Sequence, residues 1–279
     1  RVAKGAPIYP EYSAQWILDE LDGNPYRWEE RPGDKFYITP EDEKIIRECA
    51  EYWNGKTVYD YVRKNLPDEI NAAWDAGVTD ETWVCGAGLG NEIPDYKLVV
   101  EKGLRDVIDR IEKKIESLDM LDPDSLKKRH FLDAALMGNK AVVRFAERIG
   151  DKCEEEAGKC ENPEYKKELL ELAEICRYVP LNPARTFQEA VESIFIILLA
   201  VHLESNGHAI SLGRFDQYVY PLYKKDIEEG RITKDRALEI LECFFIKCNE
   251  INKLRSWPDT EFFMGYQMFI NMAVCGQTV

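Results

Sequence analysis

The sequence is short of the residues from which metal and redox sites are built. It contains three histidines, and none of its eight cysteines forms a Cys-x-x-Cys pair. The spacing of a structural zinc site therefore cannot be assembled. Cysteines without a pairing pattern are typical of a reducing compartment. We expect a cytoplasmic protein with reduced thiols and no metal in this chain.

Long hydrophobic runs and an excess of basic residues are missing as well. The longest apolar run, residues 193–203, covers about eleven residues, whereas a membrane-spanning helix needs about 20. The 52 acidic residues outnumber the 37 basic ones, which gives a net charge of −15. The electrostatic field of a protein with this negative charge repels nucleic-acid phosphates and anionic bilayers. We therefore expect neither nucleic acid nor a membrane as a partner.

The hydrophobic pattern predicts a helix-rich chain. Apolar residues recur at three- and four-residue spacing in residues 13–21, 40–53, 57–76, 96–118, 130–156, 164–177 and 233–249. Thr39, Pro40 and Asp42 form a complete start signal for the second of these helices. The segment 262–278 ends in an apolar run that predicts a buried strand.

A further helix leads into the most unusual part of the chain. It begins at a capping box formed by Thr186 and Glu189, and residues 194–201 are apolar on all sides. A helix with this pattern is buried on every side. It is followed by residues 204–218, which combine polar, glycine and aromatic residues. We expect this segment to face an internal cavity and to form the active site.

A glycine-rich stretch, residues 85–91, offers a second candidate. Its Gly-x-Gly-x-Gly pattern lacks the Lys-Ser/Thr of a phosphate-binding loop, and no strand pattern precedes it. A glycine-rich turn that brings backbone close to a ligand or a neighbouring strand is therefore favoured over a nucleotide site. A role as a cavity-lining loop remains open.

Three motifs resemble those of the pyruvate formate-lyase-type glycyl radical enzymes, and among them the dehydratases, lyases and decarboxylases. They are Pro-Ala-Arg-Thr-Phe-Gln-Glu-Ala at 183–190, Glu-Ser-Asn-Gly-His at 204–208 and Ser-Leu-Gly-Arg-Phe-Asp-Gln-Tyr-Val-Tyr-Pro at 211–221. The resemblance implies an α/β fold in which helices pack around the first half of a ten-stranded barrel. In a single domain, residues 1–180 would form a mostly helical outer layer and residues 181–279 a segment of the barrel core.

The same resemblance shows what this sequence lacks. The family's Gly-x-Cys-x-Glu motif, which carries the thiyl cysteine, and its C-terminal glycine loop do not occur here. Cys275 matches a segment that precedes the cysteine motif, so we do not expect it to be the radical cysteine. Because both radical motifs are missing, the resemblance implies that this is the N-terminal part of a longer catalytic subunit, inactive alone. The resemblance also implies a glycyl radical installed by a separate radical-SAM activating enzyme, and a homodimer.

The site residues follow from the resemblance, position by position. His208 and Phe215 match residues that line the substrate, with a core histidine as the alternative for His208. Ala209 stands in place of a serine, Asn91 in place of a histidine, and Lys140 where diol-type and choline-type members carry an aspartate. These replacements argue against glycerol, propanediol or choline. A lysine in the pocket would favour a carboxylate-bearing substrate, whereas a lysine at the surface is the simpler alternative.

The segment also contains a charged pair. Arg214 and Asp216 flank the aromatic residue, and a buried ion pair that shapes the segment is an alternative to a catalytic role. In the family, a thiyl radical abstracts a substrate hydrogen and a C–C, C–O, C–N or C–S bond then breaks. We expect a lyase or decarboxylase of a small carboxylate-bearing molecule. The alternatives are a radical dehydratase of the hydroxyproline or diol type, and a non-catalytic half-barrel fragment.

Overall fold

The computed structural model describes residues 2–3, 6, 8–79, 90–119, 121–204, 209–262 and 268–274. Its helices, in chain order, are α1 (Gln15–Leu21), α2 (Pro40–Trp53), α3 (Val58–Asn65), α4 (Asp68–Asp75), α5 (Tyr96–Glu116), α6 (Ser125–Lys159), α7 (Pro163–Tyr178), α8 (Phe187–Glu204), α9 (Phe215–Glu228), α10 (Lys234–Glu250) and α11 (Trp257–Phe262). Strands β1 (Val2–Ala3) and β2 (Lys35–Phe36) pair in parallel.

The helix-rich α/β class is confirmed, and the half-barrel stays a prediction. Within the described residues, the sheet structure consists of the β1–β2 pair and one parallel bridge between Gly213 and Met272. The predicted strand near the end of the chain is represented in residues 268–274 by that bridge, with Met268 buried and Val274 exposed.

The start of α2 is confirmed in detail. The Thr39 hydroxyl accepts a hydrogen bond from the Asp42 N–H at 3.1 Å, and Pro40 occupies the first helical position. A proline is tolerated there because the first N–H of a helix has no intrahelical partner. The local chemistry of these residues therefore sets where the helix begins.

The single helix predicted at 57–76 is wrong, because the chain forms α3 and α4 instead. Thr57 and Asp60 make a reciprocal capping box at the start of α3. Leu66 then adopts an extended ψ of 146°, since a residue that precedes a proline is driven out of the helical region. Pro67 thus separates two short helices. The hydrophobic pattern also failed to reveal α9 and α11. Only the first residues of α9 fall in the polar segment 204–218, and residues 257–261 of α11 fall in no predicted element.

Contacts divide the chain into two compact units. The first comprises Arg1–Glu92, Val201–Ser211 and Lys247–Asn271, and the second comprises Ile93–Ala200, Leu212–Ile246 and Met272–Val279. The segment 204–218 therefore contributes residues to both units. The predicted division into an outer layer and a barrel segment at residue 180 stays a prediction.

The core of the first unit is built around α1 and α2. Ile17 and Leu21 of α1 are buried there together with Trp28 and Phe36. Each such side chain contributes about 1.5–3 kcal/mol by leaving water. Leu254 packs into the same cluster and thereby fixes the irregular segment 251–256, between α10 and α11, to this core.

The core of the second unit lies along α6, α7 and α8. Gly150 permits close approach of α6 to α7, because a Cβ at this position would lie 3.0 Å from the Ala173 carbonyl oxygen. On α8, Ile194, Ile196 and Leu198 are at most 1% exposed. The prediction of a buried helix is confirmed at these positions, whereas residues 199–201 are only half-buried.

Candidate functional site

In the first unit, three short segments lie side by side where the sequence predicts the active site. The Ser211 N–H donates to the Glu92 carbonyl at 2.8 Å, and the Ala209 N–H donates to the Met268 carbonyl at 2.8 Å. The segments are joined by their backbones. They are termed the three-segment wall: residues 90–92, 209–211 and 268–271.

Each segment of the wall holds a non-glycine residue in the left-handed region. The φ angle is +58° at Asn91, +60° at Ala209 and +53° at Phe269. Asparagine tolerates this conformation, but alanine and phenylalanine carry a steric cost of roughly 1–2 kcal/mol each. Such strain persists where the surroundings fix the backbone, and it concentrates at ligand-binding sites. The structure therefore brings Asn91 and Ala209 together in a strained wall.

Part of the predicted site lies outside the described residues. This applies to His208, to the rest of 205–208, to residues 85–89 of the glycine-rich turn and to Cys275. The substrate role predicted for His208 stays a prediction. Its neighbour Ala209 is 9% exposed, so the described end of this segment is buried.

The first unit also buries two cations that the sequence pattern did not single out. Lys253 is 6% exposed and Arg255 is 9% exposed, and they flank Leu254, which packs in the core. Burial lowers the pKa of Lys253 to about 7, and the positive charge of Arg255 acts on this pKa in the same direction. Two like charges therefore interact inside this unit. They are termed the cationic pair.

The cationic pair contacts the wall and the end of α8. Arg255 Nη2 lies 3.6 Å from the sulfur of Met268, the wall residue that accepts the Ala209 N–H. Lys253 Nζ lies 5.2 Å from the ring centroid of Tyr9, a cation–π contact. The Tyr9 hydroxyl donates to the His202 carbonyl at 2.6 Å, in the last turn of α8.

One nitrogen of the buried Arg255 guanidinium has no hydrogen-bond partner among the described residues, namely Nε. The Met268 thioether beside Nη2 is a weak acceptor. Burial lowers the pKa of Arg255, and Asp259 opposes that effect. No sequence signal indicates this burial, because a Lys-Leu-Arg triplet also suits a solvated loop. The burial depends on side chains far away along the chain.

Phe215 lies in the second unit, where it lines an apolar cavity of about 390 Å³. The ring is 4% exposed and stacks on Phe244, with ring centroids 5.3 Å apart and planes inclined by 21°. Val219, Leu241 and Met272 also line the cavity. A rigid aromatic wall of this kind is suited to an apolar ligand. The predicted role of Phe215 in substrate contact stays a prediction.

The remaining predicted residues carry ion pairs in the second unit. Arg214 Nε and Asp216 Oδ1 lie 3.5 Å apart, and both atoms are buried although the whole side chains are 41% and 30% exposed. The ion pair is present, and it is half-buried. Lys140 Nζ lies 2.9 Å from Glu112 Oε1, and its side chain is 56% exposed. The structure thus places Lys140 at the surface of α6, the simpler of the two alternatives.

Metal sites and membrane spans are both absent from the part of the chain that the structure describes. There, no group of three or more histidine, cysteine, aspartate or glutamate side chains could hold a metal ion. Within the same ranges, no helix has both the length and the hydrophobicity needed to cross a membrane.

Comparison with known proteins points to one family. A family model described as "Pyruvate formate lyase-like" matches residues 2–279. The chain is 35% identical over 258 residues to the (2S)-3-sulfopropanediol dehydratase of Klebsiella oxytoca, a match that covers 91% of this chain and 31% of that protein. It is 34% identical over 283 residues to the isethionate sulfite-lyase of Nitratidesulfovibrio vulgaris, with coverage of 97% and 34%.

The solved structures agree. A structure described as 1,2-propanediol dehydration in Roseburia inulinivorans superposes with a TM-score of 0.93 at 36% identity, over 99% of this chain and 34% of that one. The chain spans about a third of the length of the relatives that it matches.

Proposed function

The chain belongs to the pyruvate formate lyase-like family of glycyl radical enzymes, and from this premise we propose that the protein is a glycyl radical lyase or decarboxylase. Its substrate is a small carboxylate-bearing molecule, in which a C–C, C–O, C–N or C–S bond is cleaved. It acts as a cytoplasmic homodimer.

This chain's share of the reaction is to hold the substrate and keep water out. In the proposal, a glycyl radical installed by a separate radical-SAM activating enzyme supplies hydrogen abstraction by way of a cysteine. The backbone bonds from Ala209 to Met268 and from Ser211 to Glu92 hold the pocket wall in one geometry before substrate arrives. Such preorganisation lowers the entropic cost of reaching the reactive arrangement.

The observation that carries the proposal is the strained wall. The wall joins Asn91 and Ala209, both in the left-handed region, at the positions where the resemblance places substrate-lining residues. A methyl group stands at 209 where the related dehydratases have a hydroxyl, so one hydrogen bond to a substrate hydroxyl is lost. This loss supports a substrate that is not recognised through that hydroxyl.

A radical dehydratase is the second candidate, and two of the similar proteins support it. The Klebsiella oxytoca relative at 35% identity is a sulfopropanediol dehydratase, and the Roseburia inulinivorans structure concerns propanediol dehydration. Other polar groups would then have to replace the hydroxyl missing at Ala209.

The proposal is tested on the native gene product. We expect its intact mass to exceed that of a 279-residue chain. We also expect a glycyl doublet in the electron paramagnetic resonance spectrum after anaerobic activation. A native protein that gives no doublet with a competent activating enzyme would contradict the proposal and support a non-catalytic fragment.

Product analysis separates the two enzyme candidates. The activated protein is incubated anaerobically with arylacetates, and in parallel with hydroxyproline and diols. Carbon dioxide or another fragment from the acids supports the lyase or decarboxylase. Dehydration of a hydroxylated compound, with no turnover of the acids, supports the dehydratase instead.

A further inference from the structure

The apolar cavity of the second unit lies between the facing sides of α9 and α10. It is lined by Val219 and Tyr223 of α9, and by Ala237, Leu241 and Phe245 of α10. Residues four positions apart lie on the same face of a helix. Each of the two helices therefore turns one apolar face toward the cavity.

Several of the apolar side chains that line this cavity are exposed to water. Tyr220, Leu238 and Val274 are each more than half exposed, and Phe245 is 44% exposed. Single exposed apolar residues are normal, but a contiguous apolar patch marks an interaction site. Because these four side chains share one cavity of about 390 Å³, they form such a patch. The cavity and its exposed rim are termed the α9–α10 groove.

The exposed rim favours a polypeptide over a small molecule as the occupant. The cavity volume alone lies within the range of small-ligand pockets, about 300–1,000 Å³. A small molecule that fills the cavity, however, leaves the exposed parts of Tyr220 and Leu238 in water. An apolar segment that lies along the groove covers the cavity and its rim together, as an amphipathic helix does in a hydrophobic groove.

The length of the related proteins indicates where this polypeptide comes from. The chain spans about a third of the relatives that it matches, so about two thirds of their length has no counterpart in these 279 residues. A longer chain buries a larger share of its surface on folding. A segment of the same polypeptide also reaches the groove at a high effective concentration, which favours it over a separate partner.

The groove also holds a cation that has no ion-pair partner among the described residues. Lys234, at the start of α10, lines the cavity, and no described carboxylate forms a salt bridge with its ammonium. Asp216, the other charged residue of the lining, has Arg214 Nε at 3.5 Å. Electrostatic complementarity therefore calls for a negative charge beside Lys234.

We propose that the α9–α10 groove is covered by an apolar segment of the same polypeptide, outside residues 1–279, that carries a carboxylate beside Lys234. The apolar side chains of the segment fill the cavity, and the carboxylate pairs with the ammonium. This inference rests on the proposed function, because that proposal makes the native gene product longer than 279 residues. It names a surface through which this chain joins the rest of the protein.

The first test identifies what lies on the groove in the native gene product. Tyr220 is replaced by p-benzoylphenylalanine, which keeps an aromatic ring and forms a crosslink on irradiation. Mass spectrometry of the digested protein then locates the crosslinked peptide. We expect a peptide from outside residues 1–279, in a product that migrates as one chain on a denaturing gel. A crosslink to a second copy, a crosslink within residues 1–279, or no crosslink would overturn the inference.

The second test measures whether the groove is covered. In the native gene product, we expect the thiol of Leu238→Cys to react with N-ethylmaleimide about tenfold or more slowly than in urea-unfolded protein. Leu121→Cys is the control, because Leu121 is 92% exposed between α5 and α6, and its thiol should react at nearly the unfolded rate. Peptide mass spectrometry separates the introduced thiols from the native ones. Equal rates at the two positions would overturn the inference.

The third test concerns the carboxylate. In the Leu238→Cys protein, we expect Lys234→Met to speed up the labelling of that thiol by about threefold or more, because the covering segment loses an ion pair. Lys234→Arg keeps the charge and should leave the thiol protected. Lys247→Met is the control, since it removes an exposed charge of α10 that is paired with Glu250 at 2.8 Å. Equal labelling in Lys234→Met and Lys247→Met would overturn the carboxylate beside Lys234.

The outcomes separate this inference from the proposed function. A normal glycyl doublet together with an unprotected thiol at position 238 contradicts only the inference. A mapped crosslink without a doublet contradicts only the proposed function, and a native mass equal to that of 279 residues contradicts both. Since the crosslink at Tyr220 needs no change at Leu238, a Leu238→Cys protein that fails to fold does not block the decision.

Discussion

Two buried charge clusters lie next to each other in the first unit, one made of opposite charges and one that contains two cations. In the first, Arg31 is 0% exposed and pairs with Glu20, which is 2% exposed. Arg31 also donates to the Arg255 carbonyl at 2.7 Å, while Glu20 accepts the Trp257 N–H at 2.6 Å. Buried charges of opposite sign with filled hydrogen-bond positions are typical of a structural cluster.

The cationic pair has a different character. Lys253 and Arg255 carry the same sign, and within the described ranges Arg255 Nε has no hydrogen-bond partner. Arg255 takes part in both clusters. Its backbone carbonyl accepts a hydrogen bond from Arg31, and its side chain lies beside Met268. The backbone of this residue is therefore fixed by the balanced cluster. The two clusters therefore differ in charge: one pairs a cation with an anion, and the other brings two cations together.

The largest expected effect breaks the balanced cluster. We expect Arg31→Met to lower the free energy of unfolding by about 3–5 kcal/mol, because it leaves the Glu20 carboxylate buried without its partner. Arg47→Met is the control, since Arg47 pairs with Asp22 and Glu43 at the surface, where such pairs contribute about 1 kcal/mol or less. Urea unfolding measures both. Equal losses in the two variants would contradict a structural role for the buried pair.

A smaller effect appears in the pH dependence of the cationic pair. In the folded protein the pKa of Lys253 is about 7, whereas an unfolded lysine keeps its proton to about pH 10.4. Between these values the unfolded chain binds more protons, so stability without ligand rises with pH. The gain is about 1.4 kcal/mol per pH unit. Arg255 and Tyr9 are among the groups near the ammonium, and burial raises the pKa of Tyr9 to about 12.

The measurement compares native protein with Lys253→Met at pH 7.5 and pH 9.5. We expect the native protein to gain about 2–3 kcal/mol more than the variant over this interval, because titrations common to both proteins cancel. The Lys247→Met protein should follow the native one. A pH dependence identical in native protein and Lys253→Met would show that this lysine keeps an ordinary pKa.

The smallest expected effect is that of removing the Arg255 charge, and it tests whether this side chain belongs to the structural cluster. Without ligand, Arg255→Met should change the free energy of unfolding by about 1 kcal/mol or less, because replacing a poorly paired buried charge by an apolar side chain is often neutral. The variant keeps the backbone carbonyl that Arg31 uses. A loss as large as that of Arg31→Met would place Arg255 in the structural cluster.

The structural features that could be predicted from the sequence are those determined by residues close together in the chain. The helix starts at Thr39 and Thr57 depend on contacts within three or four residues, and the family motifs are contiguous. The break at Leu66 was missed although Pro67 is local, because the apolar spacing continues across it. Helix α9 was not predicted because it contains Pro221 in its interior, where a proline is normally unfavourable.

The site was predictable only where it follows the motifs. Ala209 and Asn91 were singled out from the resemblance, and their contact through Ser211 and Glu92 required the fold. The side chain of Arg255 contacts Met268, which is thirteen residues away along the chain. No period or motif in residues 251–256 distinguishes a buried cation from an exposed one, so the cationic pair could only be found in the structure.

The most direct test of the central claim is the electron paramagnetic resonance spectrum of the native gene product after anaerobic activation. We expect a glycyl doublet, because the chain belongs to a family of glycyl radical enzymes. A native protein that gives no doublet with a competent activating enzyme would contradict the claim.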